Sequence, residues 1–178
     1  VIYELSKENK ELIPKTIKHI FIISDRRERI ETLRKIAKAV NSDKTMIFIN
    51  TKYDLEESLQ KLQYHNYNVA ALAGNIDKQS KKKAVEDFQN GRLQYLLATD
   101  VAARGLQIDH VSTVINVNLP EEPTEYLHRA GRCGRNNEQG LCISIITENE
   151  LNKIKKYQKA FNINIVQKRL YNGKIVSK

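Results

Sequence analysis

The eight residues 128-HRAGRCGR-135 carry Arg129, Arg132 and Arg135 at a spacing of three, with His128, Gly131 and Gly134 between and around them. On a helical turn that spacing lays the arginines along one flank, and the glycines remove bulk where a ligand or another backbone could approach. The run is either a solvated basic helix end or a concentrated anion site, and its surroundings have to decide. A second dense stretch, 98-ATDVAARGLQI-108, closes an apolar run with Thr99 and Asp100 and reaches Arg104 and Gly105 soon after. Small side chains there let backbone N–H groups and hydroxyls come close to phosphates. The plainer reading is a strand-to-helix turn in which the Asp100 carboxylate caps the next helix. The two readings are compatible.

One absence shapes the chemistry. No G-x-x-x-x-G-K-[ST] string occurs, Gly173-Lys174 being followed by Ile175, and no group of acids suits magnesium. A nucleoside triphosphate is therefore not held by these residues alone in the usual manner, and most of any such site must come from another domain. Cys133 and Cys142 lie nine apart without a CxxC or a nearby histidine pair, so both are expected reduced and neither a zinc site nor a disulfide is indicated.

Apolar runs rich in Ile, Val and Phe position these stretches. The runs 17-IKHIFII-23, 45-TMIFIN-50, 68-NVAALA-73, 93-LQYLLAT-99, 112-STVINVN-118 and 140-GLCISIIT-147 alternate with segments of helical period such as Ile30, Leu33, Ala37 and Val40. That alternation predicts an α/β fold, a mainly parallel sheet with helices on both faces in a single domain over residues 15–147. In such sheets the binding crevice lies beyond the carboxyl ends of the strands, which nominates Asn50-Thr51, Gly74-Asn75, residues 99–105 and 118-NLP-120.

Residues 1–14 read as a lead-in from a preceding domain, because the chain opens without an initiator methionine. Residues 148–178 read as a basic C-terminal extension, with a lysine-rich helix from about Glu150 to Phe161, an extended stretch, and a turn at Asn172-Gly173. That extension holds eight Lys/Arg against two acids, while residues 1–147 hold 22 against 19, so most of the net charge of +9 sits in it. Such a balance favours a polyanionic partner through counterion release, nucleic acid being the commonest. The apolar runs are far too short to span a bilayer and no leader opens the chain, so a soluble, cytoplasmic protein is expected.

Taken in order, 46-MIFINTK-52, 98-ATDVAARG-105 and 128-HRAGRCGR-135, joined by 114-VINVNLPEEPTEYLHR-129, resemble the C-terminal RecA-like half of the DEAD-box RNA helicases over residues 15–147. The resemblance implies an ATP-dependent RNA helicase whose N-terminal RecA-like half binds most of the ATP and Mg. RNA and that half are then the partners, and this piece alone is inactive. It further implies that Arg132 and Arg135 act as arginine fingers on the β- and γ-phosphates, Arg135 foremost, and that Gly105 and Gln107 share in ATP binding. Thr51, Gly74, Thr99, Arg104 and Gly105 would touch RNA phosphates, Asp100 and Arg129 would pair inside the domain, and His128 would couple the halves. Within 73-AGNIDKQSK-81, Lys78 and Lys81 replace the family's Gln and Arg, Ala73 and Asn75 its His and Asp, and Gln107 stands where an Asp meets the ribose. Lysine keeps charge but loses the two-pronged geometry, and an amide still hydrogen-bonds a hydroxyl. Asp109, in the wrong register, is a weaker substitute for that Asp. The alternatives are a non-catalytic RNA- or protein-binding module of the same fold, or half of a DNA helicase.

Overall fold

The computed structural model describes residues 14–73, 75–134 and 138–178. Strands and helices alternate along the chain: β1 (Ile17–Ile23), α1 (Arg29–Val40), β2 (Thr45–Phe48), α2 (Lys52–Tyr64), β3 (Val69–Leu72), α3 (Lys78–Gln89) and β4 (Tyr95–Ala98). There follow α4 (Asp100–Ala103), β5 (Thr113–Asn116), α5 (Pro123–Ala130), β6 (Gly140–Ile146), α6 (Leu151–Phe161), β7 (Ile165–Tyr171) and β8 (Lys174–Ser177). The strands form one sheet in the order β3-β4-β2-β5-β6-β1-β7-β8. Among the described residues every neighbouring pair is parallel except the β7–β8 hairpin.

The apolar runs become central strands because both of their faces are covered. β2, β4 and β5 are buried at every position. Their alternation sends Met46, Phe48, Leu96 and Val114 to a layer with Phe88, Tyr126 and Leu127, and Ile47, Leu97 and Ile115 to the opposite layer with Leu33, Ile36, Leu55 and Leu62. Helices α1 and α2 thus cover one face and α3 to α6 the other, the RecA-like α/β arrangement expected. α1 presents Leu33, Ile36 and Ala37 at helical spacing and stops at Asn41, whose left-handed φ of 44° lets its N–H reach the Ala37 carbonyl. Burying one such Leu or Ile stabilises the fold by roughly 1.5–3 kcal/mol.

The sheet and the core continue past Thr147 into residues 148–178. β7 pairs in parallel with β1, from His19↔Ile165 to Ile22↔Lys168. α6 buries Ile154, Tyr157 and Phe161 while its lysines face outward. The Tyr157 and Phe161 rings lie 5.4 and 6.3 Å from the Tyr126 ring of α5, so the last helix braces the helix that carries His128 and Arg129. Cys133 and Cys142 are buried, and burial pushes the Cys142 thiol up to about 11. No described helix is long and apolar enough to cross a membrane.

Candidate functional site

Beyond the carboxyl ends of β4, β2 and β5 lies a cleft of about 780 Å³, walled on one side by residues 103–110 and on the other by α5. Asp100, Arg104, Gly105, Gln107, His128, Arg129 and Arg132 all line it, so two motifs far apart in sequence meet there.

Arg129 is the hub. Its side chain is 1% exposed. Nε donates to Asp100 Oδ1 at 2.8 Å and Nη2 to Asp100 Oδ2 at 2.7 Å, a two-pronged charge-assisted pair. Nη2 also donates to Asn50 Oδ1 at 2.8 Å, and Nη1 to the Asn118 carbonyl at 2.8 Å and Asn116 Oδ1 at 3.3 Å. These contacts use all five N–H donors of a guanidinium, and the Phe48 ring lies 5.1 Å below. A buried charge is tolerated only when its donors are met this fully. The outcome is mechanical: one side chain ties α5 to the ends of β2, β4 and β5. Asn50 in turn donates from Nδ2 to the Leu119 carbonyl at 2.9 Å, which closes the knot.

Thr99, not Asp100, caps α4: its hydroxyl oxygen accepts from the Ala102 N–H at 3.2 Å. The capping expectation for Asp100 is corrected, because Arg129 draws that carboxylate inward. Thr51 does the same work for α2, accepting from the Asp54 N–H at 3.2 Å. Each hydroxyl thus spends acceptor capacity on its own helix and keeps its O–H to donate. Both threonines stand at the ends of neighbouring strands, β2 and β4.

Arg132 lies on the cleft wall with its guanidinium engaged. Nη1 donates to the Leu106 carbonyl at 2.7 Å and Nη2 to the Ala103 carbonyl at 3.2 Å. These two carbonyls bracket Arg104 and Gly105. Gly105 has a φ of +79°, where an L side chain is strained, and the space beyond its Cα is open. Gly134, at φ +71°, has no such room, since a Cβ there would sit 2.7 Å from Ile17 Cγ1. Arg104 points outward, 68% exposed, with Nη2 at 3.3 Å from Glu125 Oε1, and His128 Nδ1 lies 3.5 Å from Glu125 Oε2. Gln107 is exposed and its amide N–H₂ reaches Asp109 Oδ2 at 3.4 Å. Gly74 and Arg135 lie outside the described residues.

Glu125, Asn116 and Phe48 were missed by the reading of the sequence. Glu125 carried a faint signal, three residues before His128 on a helix. Asn116 and Phe48 carried none, since each reads locally as part of a strand. In the divergent stretch, Asp77 caps α3 by accepting from the Ser80 N–H at 2.8 Å, a bond that holds its carboxyl below the usual carboxylate range. Lys78 then opens α3, and Lys81 follows one turn later.

With this geometry in view, similarity to known proteins becomes informative. Residues 28–137 match the helicase conserved C-terminal domain. The DEAD-box ATP-dependent RNA helicase CshC of Bacillus cereus is 34% identical over 160 residues, covering 90% of this chain and 41% of that protein. A probable ATP-dependent RNA helicase of Bacillus subtilis, YfmL, is 32% identical over 162 residues, covering 91% and 43%. The chain thus spans about two fifths of the length of these relatives. Among solved structures, the C-terminal domain of the DEAD-box protein Dbp5 superimposes with a TM-score of 0.81 at 29% identity, covering 86% of this chain and 91% of that one. Saccharomyces cerevisiae Dbp5 bound to RNA and ADP BeF3 superimposes with a TM-score of 0.83 at 28% identity, covering 93% and 44%.

Proposed function

The chain is a C-terminal RecA-like domain of the DEAD-box RNA helicase family, and from that premise we propose that it completes the core of an ATP-dependent RNA helicase, supplying arginines to the nucleotide and phosphate contacts to RNA. The observation that carries the reading is the placement of Arg132 on the cleft wall, bonded to the carbonyls on either side of Arg104 and Gly105.

In this reading an N-terminal RecA-like half of the same protein holds most of the ATP and Mg, and RNA-driven closure brings the phosphates to the cleft. ATP supplies the bond to be broken and Mg the neutralisation of its phosphates. This chain's own residues do the rest. Arg132 exchanges two neutral carbonyl acceptors for anionic phosphoryl oxygens, an exchange favoured because a full negative charge attracts the guanidinium more strongly than a carbonyl dipole and because the planar fork matches phosphate geometry. Arg135, three residues further along the sequence, is the foremost finger. Guanidinium groups aimed at charge that builds only in the transition state are worth about 10³ to 10⁵ in rate in other nucleotide hydrolases.

The exchange also frees the Ala103 and Leu106 carbonyls, and with them the loop carrying Arg104 and Gly105. That loop, with the donor hydroxyls of Thr51 and Thr99 and with Gly74, meets RNA phosphates and is blind to base sequence. ATP and RNA then act on one segment from its two sides. Gln107 reaches the ribose through its amide after leaving Asp109, and Asp100, Arg129 and His128 keep α5 in register with the strand ends during closure.

Local strand separation follows from bending one bound RNA strand, with hydrolysis serving release. The test is ATP hydrolysis with and without RNA. The 178-residue chain is expected inactive alone, and one polypeptide joining it to a P-loop-bearing N-terminal helicase half is expected to hydrolyse ATP faster with RNA. Equal rates with and without RNA in the joined protein would refute the proposal.

A further inference from the structure

The β7–β8 hairpin lies four or more strands away from β2 and β4, whose ends carry the cleft threonines, and its outward residues have no part in the site described so far. The register pairs Tyr171 with Lys174 and Arg169 with Val176, so these four share one face, while Leu170 and Ile175 turn to the other and pack on the core. The Arg169 guanidinium lies over the Tyr171 ring at 5.1 Å, and the ring remains 57% exposed. The tip is a two-residue Asn172-Gly173 turn with φ of 50° and 73°, the left-handed pair that suits a tight hairpin and holds Tyr171 and Lys174 side by side.

A groove of about 290 Å³ between this tip and α1, which packs on the Leu170 and Ile175 side of the hairpin, is lined by Lys35, Lys38, Leu170, Tyr171 and Asn172. Both lysines are exposed and three residues apart on α1. The charge is uncompensated within the segment, since no acid occurs between residues 151 and 178. Glu31, the one acid of α1, is taken by Arg34 and by Lys61, the latter at 2.8 Å.

We propose that this hairpin face binds unpaired RNA at a second place on the domain, one base stacking on Tyr171 while Arg169 and Lys174 meet the flanking phosphates. An exposed aromatic ring beside two cations, with no competing carboxylate, is what a flexible polyanion bearing flat bases requires, and stacking of that kind tolerates any base. A protein partner would find little apolar area here beyond the one ring. The proposal rests on the reading of the chain as part of an RNA-remodelling protein, though not on the arginine fingers.

The test is the affinity of the 178-residue chain for a labelled oligouridine without nucleotide, measured by fluorescence anisotropy across a salt series. Tyr171→Ala is expected to weaken binding about 5- to 100-fold, with Tyr171→Phe close to the parent. Arg169→Gln with Lys174→Gln is expected to flatten the slope of log affinity against log salt by about 0.7 for each phosphate left without its cation. Unchanged urea midpoints check that these exposed substitutions leave the fold intact. Absence of oligouridine binding by the parent, an affinity that Tyr171→Ala leaves alone, or competition by inorganic polyphosphate equal to that by oligouridine would each overturn the proposal. If hairpin variants lose RNA while Arg132→Ala and Arg135→Ala spare hydrolysis in the joined protein, the second RNA site stands and the finger reading falls; the converse result separates them the other way.

Discussion

Replacing Arg129 by alanine removes a charge whose five donors are met by Asp100, Asn50, Asn116 and the Asn118 carbonyl. The Asp100 carboxylate, with its side chain 20% exposed, then loses its counter-charge, and two asparagine oxygens lose donors. Breaking a buried pair by removing one partner costs about 3–5 kcal/mol. A domain of this size has a total stability of about 5–15 kcal/mol, so the loss is a large share of it. It corresponds to a fall in melting temperature of about 6–20 °C.

Urea unfolding followed by circular dichroism measures the change directly, with an unchanged slope confirming that the transition is the same. Arg129→Lys should fall between parent and alanine, because it keeps the charge but has three donors and no planar fork. Pairing Arg129→Met with Asp100→Asn should cost less than the sum of the two single changes, since no lone charge is left behind. A loss below about 1 kcal/mol for Arg129→Ala, or strict additivity in the cycle, would refute the idea that this residue ties α5 to the strand ends.

Two further outcomes concern the buried histidine and the C-terminal segment. Burial holds the His19 imidazole, whose Nδ1 lies 2.8 Å from the Tyr126 hydroxyl, down at about 4 against an ordinary 6.5. The unfolded chain therefore takes up a proton below about pH 6.5 that the folded one refuses until about pH 4, so stability is full above that window and falls by about 3 kcal/mol as pH drops through it. His19→Gln should remove most of that slope in urea midpoints compared at about pH 7 and about pH 5; Glu31, held at about 2 by Arg34 and Lys61, acts only below its ordinary 4.5 and does not confuse the comparison. Deleting residues 148–178 should abolish cooperative unfolding, because it strips β7 from β1 and removes Tyr157 and Phe161 from Tyr126; a deletion that still melts cooperatively would favour a separable extension.

The sheet and its helices were legible because strands buried on both faces must be apolar throughout while covering helices need only one apolar stripe. The C-terminal segment reads less plainly. Its lysines dominate the composition, yet Ile154, Tyr157 and Phe161 fall on one helical face, and periodicity was the better guide. The meeting of Arg129 with Asp100 could be named from the family's pattern, whereas its ties to Asn50 and Asn116 required the strand order itself. Which of Thr99 and Asp100 caps α4 was undecidable locally, since both side chains accept hydrogen bonds and a residue 29 positions away draws one of them off. The orientation of Arg132 depended on two main-chain carbonyls, which no side-chain pattern records.

If the arginines after His128 act on a nucleotide during the chemical step, their loss must slow bond cleavage itself. Single-turnover ATP hydrolysis, at saturating ATP and RNA in the joined protein, reads that step with Arg132→Ala and Arg135→Ala. The rate is expected to fall by about 10³ or more for Arg135→Ala and by less for Arg132→Ala, with RNA affinity within a few-fold of the parent in both. Hydrolysis that survives both substitutions, or RNA binding lost in step with the rate, would contradict a finger role.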